Sequence, residues 1–284
     1  MNLRQIRKKT RSIRNVKKIT KAMQLVSAVK MKKTQQLEVE GRPYRDTLNS
    51  VIERILPTIE NKPSKLLQPI DKGSDRKLVV FISSNKGLCG AFHINLYRLM
   101  LQTKLDFLKT DFVTVGSKGI QFINRTRGKV LADFSKTRFL NEVSAIFSFI
   151  LERFFSGEYS VVSLIYNKYI SSFRSESVED ILLPFTWQKK EEEEKRTALD
   201  YQIEPSAENI IELLLKSHLE EKLRGAIISS EAVEHAARMM AMKNATDNAS
   251  DIIYNLTLIG NKLRQEKITN ELLDMVTAKE SVEV

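Results

Sequence analysis

LEEKLRGAIISSEAVEHAARMMAMKNATDNASDIIYNLTLIGNKL, residues 219–263, is the stretch that decides the fold. Its apolar and small residues recur at alternating steps of three and four: Leu219, Leu223, Ala226, Ser230, Val233, Ala237 and Met240, then Ala245, Ala249, Ile252, Leu256, Ile259 and Leu263. That spacing keeps one stripe along a helix for upward of about ten turns, which describes a coiled-coil seam rather than the face of a surface helix. The step from Met240 to Ala245 breaks the seven-residue repeat, and the supercoil should change there. Residues 206–284 contain no proline and only Gly225 and Gly260, so one helix of roughly 100 Å is expected. A helix of that length must project from the body or run through something else. Pro205 followed by Ser206, with Glu208 in the first turn, marks its start.

The other end of the chain supplies a partner. Leu3, Ile6, Ile13, Val16, Ile19, Met23 and Val26 fall on one side of a helix, with arginines and lysines around the rest. Residues 1–36 hold twelve of the 46 basic residues and no acidic one, which leaves 34 basic residues against 35 acidic elsewhere. The net charge of +11 therefore belongs to this segment, which calls for a negative partner. A solvated basic helix, an organellar transit peptide and a nucleic-acid-binding arm all fit the pattern. Gly41-Arg42-Pro43 should kink or interrupt the helix before it resumes through Leu48, Val51, Ile52 and Ile55. Pro57, Pro63, Pro69 and the run 71–75 read as a connector.

From Lys77 the period changes. Residues 78–83 and 112–115 are short, nearly continuous apolar runs of the kind found in buried parallel strands. Further strand signals lie at 130–134, 161–165 and 181–183, with helical signals at 91–108, 120–124 and 142–155. The alternation predicts an α/β domain of Rossmann-like type, inserted between two long terminal helices that pair as an antiparallel coiled coil. The expected divisions are an N-terminal helix at 1–57, a connector at 58–76, the α/β domain at 77–205 and the C-terminal helix at 206–284.

Chemistry is hard to place on this chain. The turn Ser83-Ser84-Asn85-Lys86-Gly87-Leu88-Cys89-Gly90 lies where a doubly wound fold binds phosphate, yet it lacks both the dinucleotide fingerprint and the P-loop spacing. It reads as a tight turn without ligand. His93, His218 and His235 have no metal-ligand spacing, and no nucleophile, base and orienting group can be assembled. The charged run 188–196 reads as a solvated linker. One cysteine, Cys89, cannot form an internal disulfide and suits a reducing compartment. The longest apolar stretch, 145–151, is too short to cross a bilayer, and no secretory signal is visible. No cofactor, metal or independent active site is expected.

Four separated stretches resemble the gamma subunit of F-type ATP synthases. They are Ile19-Thr20-Lys21-Ala22-Met23 with Leu25-Val26-Ser27-Ala28 and Lys30-Met31; the turn Gly87-Leu88-Cys89-Gly90; residues 236–249; and Ile268-Thr269-Asn270-Glu271 with Asp274. The chain departs from the family pattern at Ala278-Lys279, where Gly-Ala is usual, and at Asn85, where an acidic residue is usual.

The resemblance implies a rotor. The paired terminal helices would occupy the centre of a ring of alternating alpha and beta subunits, and the α/β domain would sit with the epsilon subunit on the membrane ring of c subunits. Proton or sodium flow would turn the shaft, which would present different faces to the catalytic beta subunits in turn. Positions that match rotor–stator contacts of the family are Met23, Arg238, Gln265 and Thr269; Tyr201 and Glu204 match the region that touches the c-ring and epsilon. The resemblance further implies a non-catalytic peripheral subunit at the cytoplasmic face of a bacterial plasma membrane, touching the membrane only through the c-ring and binding no nucleic acid. A basic coiled-coil protein binding nucleic acid or anionic membrane would explain the charge. It would not explain the apolar face of the same helix or the Ala- and Met-rich seam. A dinucleotide enzyme would need a glycine fingerprint and catalytic side chains that the sequence lacks.

Overall fold

The computed structural model describes residues 2–59, 64–67, 76–103, 105–107, 109–136, 139–186, 204 and 207–282. In chain order these form α1 (Leu3–Ile55), a 3-10 turn (Leu56–Thr58), β1 (Lys77–Ile82), α2 (Phe92–Gln102), β2 (Thr110–Val115), α3 (Ser117–Arg125), β3 (Lys129–Asp133), a second 3-10 turn (Phe139–Glu142), α4 (Val143–Phe155), β4 (Val161–Tyr169), β5 (Ser175–Leu183) and α5 (Ala207–Val282). The chain divides into two compact units: a helical unit of Met1–Ala28 with Arg238–Val284, and an α/β unit of Val29–Ala237. The charged run 188–196, the connector prolines Pro63 and Pro69, and the helix-start residues Pro205 and Ser206 lie outside the described residues.

The α/β unit is built on a five-stranded sheet in the order β3-β2-β1-β4-β5. The first four strands are parallel, and β5 returns antiparallel to β4 along one edge. Strand β1 shows why its sequence reads as an unbroken apolar run. Leu78, Val80 and Ile82 enter one core with α4, while Val79 and Phe81 enter another with α2 and α3. Both faces of the sheet are covered, so both sets of alternating side chains must be apolar. The first core also takes Leu48, Ile52 and Ile55 from α1 and Ile211, Leu215, Leu219 and Leu223 from α5. The second takes Val233.

Differences from the sequence reading have physical causes. Helix α2 stops at Gln102 rather than near 108. Strand β5 begins at Ser175 rather than 181, because Ser175-Glu176-Ser177-Val178-Glu179-Asp180 is polar. An edge strand paired on one side can carry such residues, and here hydroxyls and carboxylates link it to β4 through Ser163–Glu179 at 2.9 Å and Tyr166–Asp180 at 2.7 Å.

Helix α1 also runs through Gly41-Arg42-Pro43 without interruption. Pro43 offers no N–H to the carbonyl of Val39. One residue earlier, Arg45 folds back along the helix to donate to the Glu38 carbonyl at 3.3 Å and to its carboxylate at 2.5 Å. Gly41 makes room for it, since a Cβ there would lie 2.9 Å from Arg45 Nη1.

Candidate functional site

The helical unit has an inner seam and an outer surface of different character. Along this part of α1 a strict seven-residue repeat, Ile6, Ile13, Thr20 and Ser27, is buried or half-buried throughout. Its last two members are hydroxyl residues: Ser27 donates to Met23 O of its own helix, and Thr20 Oγ1 lies 3.1 Å from Lys17 O. On α5 the inward residues of this unit are Met242, Thr246, Ala249, Ile253, Leu256, Gly260 and Leu263.

Two contacts fix the direction of pairing. Thr20 Oγ1 and Thr246 Oγ1 are 2.8 Å apart, and Gly260 abuts Ile6, whose Cγ2 would lie 3.5 Å from a Cβ at that glycine. Earlier residues of α1 therefore meet later residues of α5. Small residues at the seam let the two backbones approach, and several large apolar residues are turned outward. Val16, Ile19 and Val26, expected on the packed face of α1, are 45%, 59% and 56% exposed. On α5, Ile252 and Ile259 of the expected seam are likewise exposed, and Ile253 and Gly260 take their places.

Cations share this outer surface. One groove of about 620 Å³ is lined by Arg14, Lys17, Lys18 and Lys21 over a floor of Leu25 and Ile253. A second, of about 480 Å³, gathers Arg7, Arg11, Arg14 and Arg264 around Ile6 and Leu256. Among the described residues no carboxylate is ion-paired with any of these basic side chains. The surface is thus both apolar and positively charged.

The residues singled out from sequence fall in different settings. Met23 is half-buried, three residues beyond Thr20, and its carbonyl accepts the Ser27 hydroxyl at 2.8 Å. Arg238 is buried, with 7% of its surface exposed. Gln265 and Thr269 are exposed, and their four-residue spacing puts them on one side of α5. Glu204 is exposed, and Tyr201 lies outside the described residues. Side-chain size alone does not mark the Thr20–Thr246 contact in the sequence. The signal that could have found it is the seven-residue spacing of Thr20, Ser27 and Thr34.

In the α/β unit, the turn after β1 spends its polar groups internally. Ser83 Oγ accepts from Gly119 N at 2.8 Å, and Ser84 Oγ donates to Lys86 O at 2.8 Å while lying 2.9 Å from His93 Nε2. Cys89, 2% exposed, lies 3.3 Å from the other ring nitrogen of His93. Gly116, at φ +100°, and Gly119 fit against this turn, since a Cβ on either would fall within 2.8 Å of Ser83 Oγ. Asn85 bridges the turn to its surroundings, accepting from Ser117 N at 2.8 Å and donating to Ser135 O at 2.9 Å. A carboxylate in its place could make the first bond but not the second. At the far end of β4, Tyr169 is held from two sides: its N–H donates to Ser229 Oγ at 2.7 Å, and its hydroxyl accepts from Gln35 Nε2. Among the described residues no helix is long and apolar enough to cross a membrane, and no group of three or more His, Cys, Asp or Glu residues could hold a metal ion.

Comparison with known proteins adds a consistent result. A family model described as ATP synthase matches residues 2–282. The ATP synthase gamma chain of Geobacter sp. (strain M21) is 35% identical over 287 residues, covering 99% of both chains. That of Aquifex aeolicus (strain VF5) is 34% identical over 288 residues, covering 98% of this chain and 97% of the relative. Among solved structures, a chain of the Euglena gracilis mitochondrial ATP synthase (OSCP/F1/c-ring, rotational state 3) superposes with a TM-score of 0.70 at 20% identity, covering 99% of this chain and 94% of the other. A chain from the central stalk and c-ring of the Tetrahymena thermophila mitochondrial enzyme gives 0.57 at 22% identity, covering 80% and 99%. At these identities the structural likeness speaks for the fold.

Proposed function

The chain belongs to the ATP synthase gamma chain family, and from that premise we propose that it is the rotor shaft of the complex, coupling ion flow through a c-ring to ATP synthesis or hydrolysis at beta subunits. The helical unit is the part that turns inside the ring of alpha and beta subunits, its two helices wound as an antiparallel coiled coil. The observation that carries this reading is the outer surface of that unit, where large apolar side chains such as Val16, Ile19 and Val26 stand exposed among cations, while hydroxyl side chains meet at the seam. A helix pair that must live alone in water keeps such a run of large apolar side chains off its surface. A pair that turns within a sleeve needs a slender interior and an exterior that meets protein at every angle.

The Rossmann-like α/β unit, with the segment before α5, then serves as the foot on the c-ring and epsilon subunit, where Tyr201 and Glu204 make contact. Met23, Arg238, Gln265 and Thr269 are the rotor–stator contact positions. Each beta conformation has its own contact free energy with the asymmetric shaft, so turning the shaft shifts the affinities of the three catalytic sites in sequence. The chain itself carries out no bond chemistry; it is a peripheral subunit that meets the membrane through the c-ring, at the cytoplasmic face of a bacterial plasma membrane.

The test is reconstitution of alpha and beta subunits with and without this chain. A bead is attached through Phe173→Cys, because Phe173 is 83% exposed while the native Cys89 is buried. One copy per hexamer and unidirectional, ATP-driven rotation of the bead are expected. Failure to co-assemble, with salt-sensitive binding to DNA or anionic vesicles instead, would overturn the reading.

A further inference from the structure

We infer that the Thr20–Thr246 hydrogen bond is the register pin of the shaft, which makes both threonines positioning residues for coupling; the inference rests on the rotor reading above. The two side chains are buried, at 8% and 6% exposure, and their hydroxyl oxygens are 2.8 Å apart. The protons can be assigned. Thr246 Oγ1 also lies 2.8 Å from Met242 O, which can only accept, so Thr246 donates there and accepts from Thr20. The result is a relay from Thr20 to Thr246 to the α5 backbone, in which each bond polarises the next. Thr20 has a poorer alternative in Lys17 O at 3.1 Å.

Apolar residues such as Ile6, Met242 and Leu256 also line the seam, but they accept a range of contacts, whereas a bond between two hydroxyls is satisfied in one register. Ser27, Ala249 and Gly260 are small, and Thr10 and Ser27 send their hydroxyls back to Ile6 O and Met23 O on their own helix. Such smoothness suits close approach, and it also lowers the cost of sliding one helix past the other. A single buried polar pair is a known way to choose one register among several, at some cost in stability. Sliding would move Met23 on α1 relative to Arg238, Gln265 and Thr269 on α5, so the rotor–stator contacts would no longer come into phase at one angle. The loss of one net hydrogen bond changes the preference for the correct register by roughly two- to tenfold, enough to let a loaded shaft slip in a sizeable fraction of turns.

The experiment uses the assembled enzyme in proteoliposomes, with ions pumped per ATP hydrolysed as the readout and thermal unfolding of the complex alongside. Thr20→Val and Thr246→Val should hydrolyse ATP within about twofold of the native rate, yet pump at half or less of the native ratio. The double variant should be no worse than either single one, and Thr20→Ser should restore coupling. A native pumping ratio in both valine variants, or losses that multiply in the double variant, would overturn the pin and leave the rotor reading intact; failure of the native chain to assemble with alpha and beta subunits would instead remove the reading beneath it. Should a valine variant fail to assemble, the Thr20→Cys/Thr246→Cys pair decides. Diamide takes two electrons and two protons from the thiols to form the disulfide, and coupling should be present when oxidised and reduced severalfold after dithiothreitol. Equal coupling in both states counts against the inference.

Discussion

Tyr159 donates a 2.5 Å hydrogen bond from its hydroxyl to Asp111 Oδ2, and both residues are buried at the amino-terminal end of the sheet. The carboxylate is compensated further by Arg76 at 2.6 Å and Lys129 at 3.8 Å. Burial, and then the hydrogen bond to Asp111, raise the Tyr159 hydroxyl well above the ordinary tyrosine value. Asp111→Ala should destabilise the α/β unit by about 3 kcal/mol, because it strips a buried donor and a cation of their shared partner. Tyr159→Phe should cost less, about 1 kcal/mol. A raised tyrosine value means that its contribution is complete below about pH 10 and fades as pH rises further. Urea midpoints between pH 8 and 11 should therefore fall more steeply for the native chain than for Tyr159→Phe.

His218 gives the opposite slope. Burial, and then the charge of Lys222, depress its value to about 4, while the unfolded chain titrates near 6.5. Below pH 6.5 the unfolded state binds the proton more readily, so stability falls progressively between about pH 6.5 and 4. The ring packs edge-on to Phe185 at 5.2 Å, a contact that does not require charge. Between pH 7.5 and 5 the native chain should lose about 1–2 kcal/mol through this group, after allowance for its partial exposure. His218→Gln should flatten that part of the pH profile, as measured by denaturant titration.

Helix α1 carries a removable defect. Pro43→Ala restores an amide donor within the helix and should raise stability by about 1–3 kcal/mol. Arg45→Ala in the native background should lower it by about 1 kcal/mol by withdrawing the guanidinium from the Glu38 carbonyl. In a Pro43→Ala background the cost of Arg45→Ala should shrink if Arg45 compensates for the proline. Thermal unfolding of the four chains gives the coupling directly.

What could be read in the sequence depended on which physical signal each element carries. Strand β1 was legible because burial on both faces demands an unbroken apolar run, and α5 because proline and glycine are nearly absent from it. Most of β5 was not legible, since its stability comes from pairing with β4 and from side-chain bonds such as Tyr166–Asp180 that leave no periodic mark. On α1 the apolar period finds Ile6 and Ile13 in the seam of the helical unit, but reading by size also favours Val16, Ile19 and Val26, which are exposed. Close packing instead selects small and hydroxyl residues: Ser27, whose size marks it for close approach, and Thr20, seven residues earlier. Arg238 stands apart: its position was carried over by resemblance, and its burial could not have been read from composition or spacing.

Ala249 faces inward at 5% exposure, whereas Ile252 is 43% exposed. Ala249→Trp should force the helices apart and cost about 1–3 kcal/mol, with loss of assembly. Ile252→Trp should leave the helix pair intact and act only on the fit to the surrounding subunits. Circular dichroism melting of the isolated chain separates the two, because only the first variant should lower its unfolding temperature.

The charges around the two grooves lead to a graded expectation. Arg7, Arg11 and Arg14 lie along one exposed flank of α1, so their interactions with an acidic partner are screened by water and salt. Replacing one of them by glutamine should weaken binding to the alpha–beta assembly by no more than about fivefold at physiological salt. The triple replacement should weaken it by more than any single one, and the difference from the native chain should narrow as salt is raised. Titration of labelled chain into alpha–beta assemblies at 50 and 300 mM salt measures both effects. A single replacement that abolishes binding at every salt concentration would mean that its guanidinium is desolvated in the complex and acts as a specific contact rather than as part of a diffuse positive surface.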